Sequence, residues 1–122
     1  MEYSSLTNLT RGCILANRVR KARRFRERAR GLMGRSSLEE GEGLLIEPCT
    51  WIHTFGMAFP IDVLYLDDEG AVAHVCYSLC PNRLGPFVRR AHSVLELPAG
   101  TIIRSGTKIG DRLEERSIEA TS

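Results

Sequence analysis

Apolar and small residues recur at Val19, Ala22, Phe25, Ala29 and Leu32, at spacings of three, three, four and three, the period of one face of an α-helix. The pattern predicts one amphipathic helix near residues 19–32, closed by Gly31 and Gly34, because glycine adopts the left-handed conformation that ends a helix without steric penalty. Elsewhere the apolar runs are shorter and read as strands. Leu6–Ala16 holds two of them about Thr10-Arg11-Gly12, a strand, a turn and a strand. Leu44–Ile46 is a third, after a polar, glycine-punctuated stretch from Ser36 to Gly43. Ile61–Leu66 ends in Asp67-Asp68-Glu69-Gly70 and is followed by partly alternating Ala71–Leu79, the signature of a hairpin. After a two-proline loop from Pro81 to Pro86, Ser93–Leu97 reads as a strand that turns at Pro98-Ala99-Gly100. A helical turn or strand around Thr101–Ile103 and a last strand near Arg112 complete the series.

Several short strands with one helix predict a mainly β fold with minority α+β content. The expected architecture is an antiparallel barrel or sandwich, with the helix packed outside or across one end. At 122 residues the chain is long enough for one core and too short for a second. A single domain over 1–122 is expected, with its core at about 6–113 and a frayed polar tail at 114–122.

Charge alters this picture more than composition does. The net charge is +2, but residues 18–35 carry nine basic residues and one acid, Glu27, a net of +8 that leaves −6 for the remainder. A helix over Arg18 to Arg35 would thus present a dense positive face to nucleic acid, anionic lipid or an acidic protein. A solvated outer face is the simpler reading, because only Phe25 supplies an interleaved aromatic ring, and it falls on the apolar side. No apolar run reaches the roughly 20 residues of a membrane span, and the first twenty residues carry no export pattern, so cytoplasm is the expected compartment. Cys13, Cys49, Cys76 and Cys80 accordingly read as reduced thiols.

The segment from Trp51 to Asp62 is where chemistry is most expected, because it sets His53 and Asp62 among apolar and turn-forming residues. An ionised carboxylate at the start of a buried strand needs partners. His53, loop N–H groups, Arg30 or Arg35 can supply them. A His53–Asp62 pair could orient a base for hydrolysis, but neither Thr54 nor any serine lies in a nucleophile motif, so a capping carboxylate and a satisfied histidine are the plainer assignment. His74 and Cys76 share a strand face with Cys80 nearby, and His53 and His92 elsewhere. Without Cys-x-x-Cys spacing, no metal and no cofactor are expected. Gly106–Asp111 lacks Walker spacing and reads as a turn.

Taken together, Arg30-Gly31-Leu32-Met33-Gly34-Arg35, Ile52-His53-Thr54-Phe55 leading to Pro60-Ile61-Asp62, Leu64-Tyr65-Leu66-Asp67, and Leu95 to Thr101 with Gly110-Asp111 resemble the domain of unknown function 192 family. The resemblance runs from about Leu6 to Leu113. It implies a mostly β bacterial or archaeal domain without established activity, exported or membrane-attached in some members, and an accessory role beside secretion or pilus assembly. Many members carry Trp-Met-Lys-Asn-Thr where this chain has His53 to Met57, whereas Pro60 and Asp62 match. The resemblance therefore argues against shared catalysis through His53 and leaves Asp62 as the general feature.

The expected function is binding of a small ligand or protein partner in a pocket near His53, Thr54 and Asp62, with Arg35 in its wall. The alternatives are a small hydrolase using His53 and Asp62, and a nucleic-acid or anionic-surface binder using the basic helix from Arg18 to Arg35.

Overall fold

The computed structural model describes residues 3–118. Seven strands, β1 (Tyr3–Asn8), β2 (Cys13–Ala22), β3 (Glu42–Ile46), β4 (Ile61–Leu66), β5 (Val72–Leu79), β6 (Ser93–Pro98) and β7 (Leu113–Ile118), form one sheet. Two short helices, α1 (Phe25–Arg30) and α2 (Thr101–Ser105), accompany them. The sheet order is β5-β4-β6-β3-β2-β1-β7. Every pairing is antiparallel except β2 with β3. Local chemistry sets the first hairpin: the Asn8 side chain accepts the Arg11 N–H at 3.0 Å and the Asn8 carbonyl accepts that of Gly12 at 2.8 Å, an Asx-type turn. The curled sheet does not close into a barrel. Its two edges approach where Ala71 bridges Arg112, with the Val72 N–H donating to the Asp111 carbonyl and the Leu113 N–H to the Gly70 carbonyl, each at 2.8 Å.

The mainly β, sandwich-like expectation agrees with this architecture, but the helix near residues 19–32 does not form. Val19 and Ala22 lie on β2, and α1 covers only Phe25–Arg30. The false helical period has a physical origin. β1 and β2 pair with register shifts around Leu6, and Ala16 and Val19, three apart, both reach one core cluster, whereas Ala22, three further on, packs into the cluster on the opposite face, so buried positions share a helix-like spacing without sharing a face. No residue of α1 is buried, and Phe25 stands 77% exposed. The basic run is thus split between a strand and a single-turn helix. Residues 114–118, expected in a frayed tail, pair with β1 from Thr7 to Tyr3. The last four residues lie outside the described ones.

Strands β3, β4 and β6 are apolar on both faces because both are covered. On one face Leu45, Leu64, Leu66, Leu95 and Leu97 pack with Leu6, Leu15, Val19 and Ile102 of α2. On the other, Leu44, Ile46, Ile61, Val63, Tyr65 and Val94 pack beneath Leu32, Ile52 and Met57 of the loops. Glu96 lies opposite both Leu44 and Val63 in the ladder, so alternation places its side chain on this second face.

A cavity over a buried carboxyl

Asp62 is consumed by the fold. It lies on β4 between Ile61 and Val63, which belong to the second face, and therefore points to the first. Its Oδ2 accepts the N–H groups of Gly100 (3.1 Å) and Ile102 (2.9 Å), fixing the start of α2. Oδ1 accepts the Ser78 N–H at 2.9 Å, holding Ser78 at φ 45, a conformation unfavourable to a residue with a Cβ. Thr54 is equally occupied: its hydroxyl donates to the Cys80 carbonyl at 2.6 Å and accepts the Arg83 N–H at 2.9 Å, tying two loops together. Arg35 pairs with Glu42 at 3.1 Å. Nδ1 of His53 accepts the Phe55 N–H at 3.1 Å, and the two rings stack 5.2 Å apart. His53 and Asp62 share no hydrogen bond, so the dyad needed for hydrolysis is not assembled.

Of these four residues only His53 lines the main cavity, a space of about 560 Å³ on the second face of the sheet. The loop from Pro48 to Met57 forms one wall, and α1 with its turn through Met33 forms another. That loop is held by backbone bonds to the segment leading into β6: Cys49 to His92 (2.9 Å), Ile52 to Gly85 (2.9 Å) and Thr50 to Val88 (3.0 Å). Gly85 is required there, because a Cβ would sit 2.7 Å from the Tyr65 hydroxyl, which itself donates to the Pro86 carbonyl at 2.8 Å. Trp51 stands at the cavity with its indole N–H donating to the Gly85 carbonyl at 2.7 Å and its ring meeting Phe87 edge-on. Gly31 carries the chain over the interior at φ 53, and a Cβ at this position would lie 3.9 Å from Glu96 Oε1.

Glu96 is the polar group inside this apolar space. It is 2% exposed, and its Oε1 has no hydrogen-bond partner among the described residues. Burial pushes its carboxyl up to about 8, so it is protonated at neutral pH. Burial likewise raises the Cys49 thiol and, strongly, the Tyr65 phenol. A buried polar atom without a partner costs about 1–3 kcal/mol, and native folds seldom leave one unless something else meets it. Glu96, Trp51 and Arg28 are not among the site residues expected from the sequence. The available signal was an acid in the middle of an apolar strand, Val94-Leu95-Glu96-Leu97.

The basic run is partly neutralised in space. Arg18 and Arg35 pair with Glu42, Lys21 with Glu115 at 2.8 Å, and Arg23 with Glu47. The Glu27 carboxylate accepts the N–H groups of Arg23 and Arg24, which hold it below the usual carboxylate range. The four cysteines are free, and no cluster of metal-ligating side chains occurs among the described residues. No helix among them is long and apolar enough to cross a membrane.

The chain thus folds as a curled, mostly β sheet with a walled cavity over the buried carboxyl of Glu96. The chain belongs to the DUF192 family (Uncharacterized ACR), whose profile it matches over residues 7–115. It is similar to the crystal structure of a protein of unknown function from Novosphingobium aromaticivorans DSM 12444. The TM-score is 0.80 at 26% identity, over 92% of this chain and 83% of that one. It is also similar to a protein from Sinorhizobium meliloti 1021 described as a candidate transcription regulator, with a TM-score of 0.80 at 27% identity over 93% and 92%. No curated protein matches it.

Proposed function

We propose that the chain is a ligand-binding domain without catalytic function, and that its site is the cavity over Glu96 rather than the neighbourhood of Asp62. The observation that carries this reading is the unpartnered Oε1 of Glu96 at the inner end of an apolar space of about 560 Å³, a size in the ordinary range for small-molecule sites. Hydrolysis through His53 and Asp62 has no support, since the Asp62 oxygens are taken by three backbone N–H groups. An accessory role beside secretion or pilus assembly, implied by the family resemblance, is compatible with such a domain.

Native and denatured mass spectra of the purified protein test the reading together with an Ala29→Phe variant, which adds bulk at the cavity wall on an exposed helix position. The expected result is an added mass in the native spectrum that the variant lacks. A bare chain, with no thermal shift on addition of amphipathic small molecules, overturns it.

A second reading, nucleic-acid binding, draws on the arginines left without acidic partners and on the likeness to the Sinorhizobium meliloti protein. It predicts that binding to duplex DNA weakens steeply with salt.

A further inference from the structure

The mouth of the cavity has a sign. Apart from Glu96 in its interior, the residues that line it include no aspartate or glutamate. They do include Arg28 and Arg30 of α1, neither with an acidic partner among the described residues. Arg28 is also held in place. Its Nε and one terminal nitrogen donate to the carbonyls of Arg23 (3.2 Å) and Pro48 (3.1 Å), which leaves three of its five N–H donors available. The interior offers no counter-charge to a cation, because Glu96 is surrounded by apolar side chains and its carboxyl is neutral.

Resting on the reading of this cavity as a ligand site, we infer that its occupant is an anionic amphiphile. Its carboxylate or phosphate sits at Arg28 and Arg30, its apolar body lies against Ile46, Ile52 and Met57, and its inner end presents a neutral hydrogen-bonding group to Glu96. Both ends follow from donor and acceptor counts. Arg28 supplies fixed donors of the kind that a planar anionic group accepts. A protonated carboxyl supplies one O–H and one carbonyl oxygen, the pair that a hydroxyl or amide satisfies.

Trp51 makes the test direct, because it is the one tryptophan of the chain and it lines the site, so its emission reports occupancy. The folded protein is titrated at about 20 mM salt with 3-(4-hydroxyphenyl)propionate, with its primary amide and with 4-hydroxyphenethylamine, which share a phenol and differ in the charge of the other end. The acid is expected to bind at least about tenfold tighter than the amine, with the amide between them. That preference should collapse at about 300 mM salt and in a doubly substituted Arg28→Gln, Arg30→Gln variant whose melting temperature is unchanged. Removing the phenol hydroxyl, as in 3-phenylpropionate, should weaken the acid further.

An amine that binds as well as the acid overturns the anionic class while leaving the cavity as the site. An acid preference that survives the double substitution overturns the assignment to Arg28 and Arg30. Silence from all four probes at millimolar concentration, with a bare native mass, overturns the cavity reading itself.

Discussion

Replacing Glu96 by glutamine should remove a large pH dependence from the stability of the fold. The carboxyl titrates near 4.5 when exposed and at about 8 in the folded chain, with burial as the cause. As pH rises, the unfolded chain therefore loses its proton first, and over the interval between these values the folded state holds the extra proton. Stability falls with pH wherever the native state binds more protons. The contribution of Glu96 is fully present below about 4.5, is lost as pH rises through about 8, and is flat beyond. At about 1.4 kcal/mol per pH unit, the interval amounts to at most about 5 kcal/mol, a large part of the 5–15 kcal/mol that typically holds a domain together.

Glutamine keeps the shape of the neutral carboxyl and does not titrate, so the difference between variant and wild type isolates Glu96 from every other group. The neighbours that face it are the Cys49 thiol and the Tyr65 phenol, both raised by burial, with Arg28, Arg30 and His53 on the cavity walls. The assay is urea unfolding followed by Trp51 emission at about pH 5 through about pH 9, with both proteins in the same buffers. The variant should gain steadily on the wild type across that range, by several kcal/mol in all. Two stability profiles that stay parallel would refute the reasoning, because Glu96 would then titrate in the fold as it does in water.

Asp62→Ala should destabilise the fold by about 3 kcal/mol or more, since it leaves the N–H groups of Ser78, Gly100 and Ile102 without their acceptor. A loss below about 1 kcal/mol in chemical denaturation would contradict that role. At the acid end, burial pushes Asp111 up, but bonds from Arg11 (2.9 Å), Asn8 (3.0 Å) and the Lys108 N–H (3.0 Å) outweigh it and hold the carboxyl at about 2. Its contribution is present above the ordinary value of 3.8 and is lost as pH falls through about 2. Arg11→Ala should therefore move the acid-unfolding midpoint to higher pH, and an unmoved midpoint would show that the pair adds nothing.

The strands were legible where local pattern and tertiary environment agree. The hairpin of β4 and β5 announces itself by an apolar run, an acidic turn and partial alternation, and β1 and β2 by their turn residues. The helix expectation shows the limit of periodicity: on β2, Val19 and Ala22 are three apart and both buried, but on opposite faces of a sheet covered on both sides, which spacing alone does not reveal. Asp62 was legible as a buried acid in need of partners, and the structure supplies them. Its direction was not, because which face of β4 meets the loops depends on contacts far along the chain. Glu96 was hidden for the same reason, since an acid inside an apolar strand reads as a solvent-facing position until the crossover is known to cover it. The charge imbalance of the basic run is likewise reduced, not removed, once Glu42, Glu47 and Glu115 fold against it.

The single parallel pair in the sheet, β2 with β3, has a consequence for how such domains diversify. Parallel neighbours cannot be joined by a tight turn, so the chain must travel out of the sheet and return, and here it does so through residues 23–41. That excursion holds no strand of its own, yet part of it forms one wall of the cavity, while the floor is built into β6 near the middle of the sheet. Selection can thus rewrite exposed wall positions such as Phe25 and Ala29 at little cost to folding, while the turn from Arg30 to Arg35, which carries part of the family resemblance and buries Leu32, and the floor between two neighbouring strands stay constrained. Related chains should accordingly vary on the exposed part of α1 and agree on the turn after it and on what lies beneath.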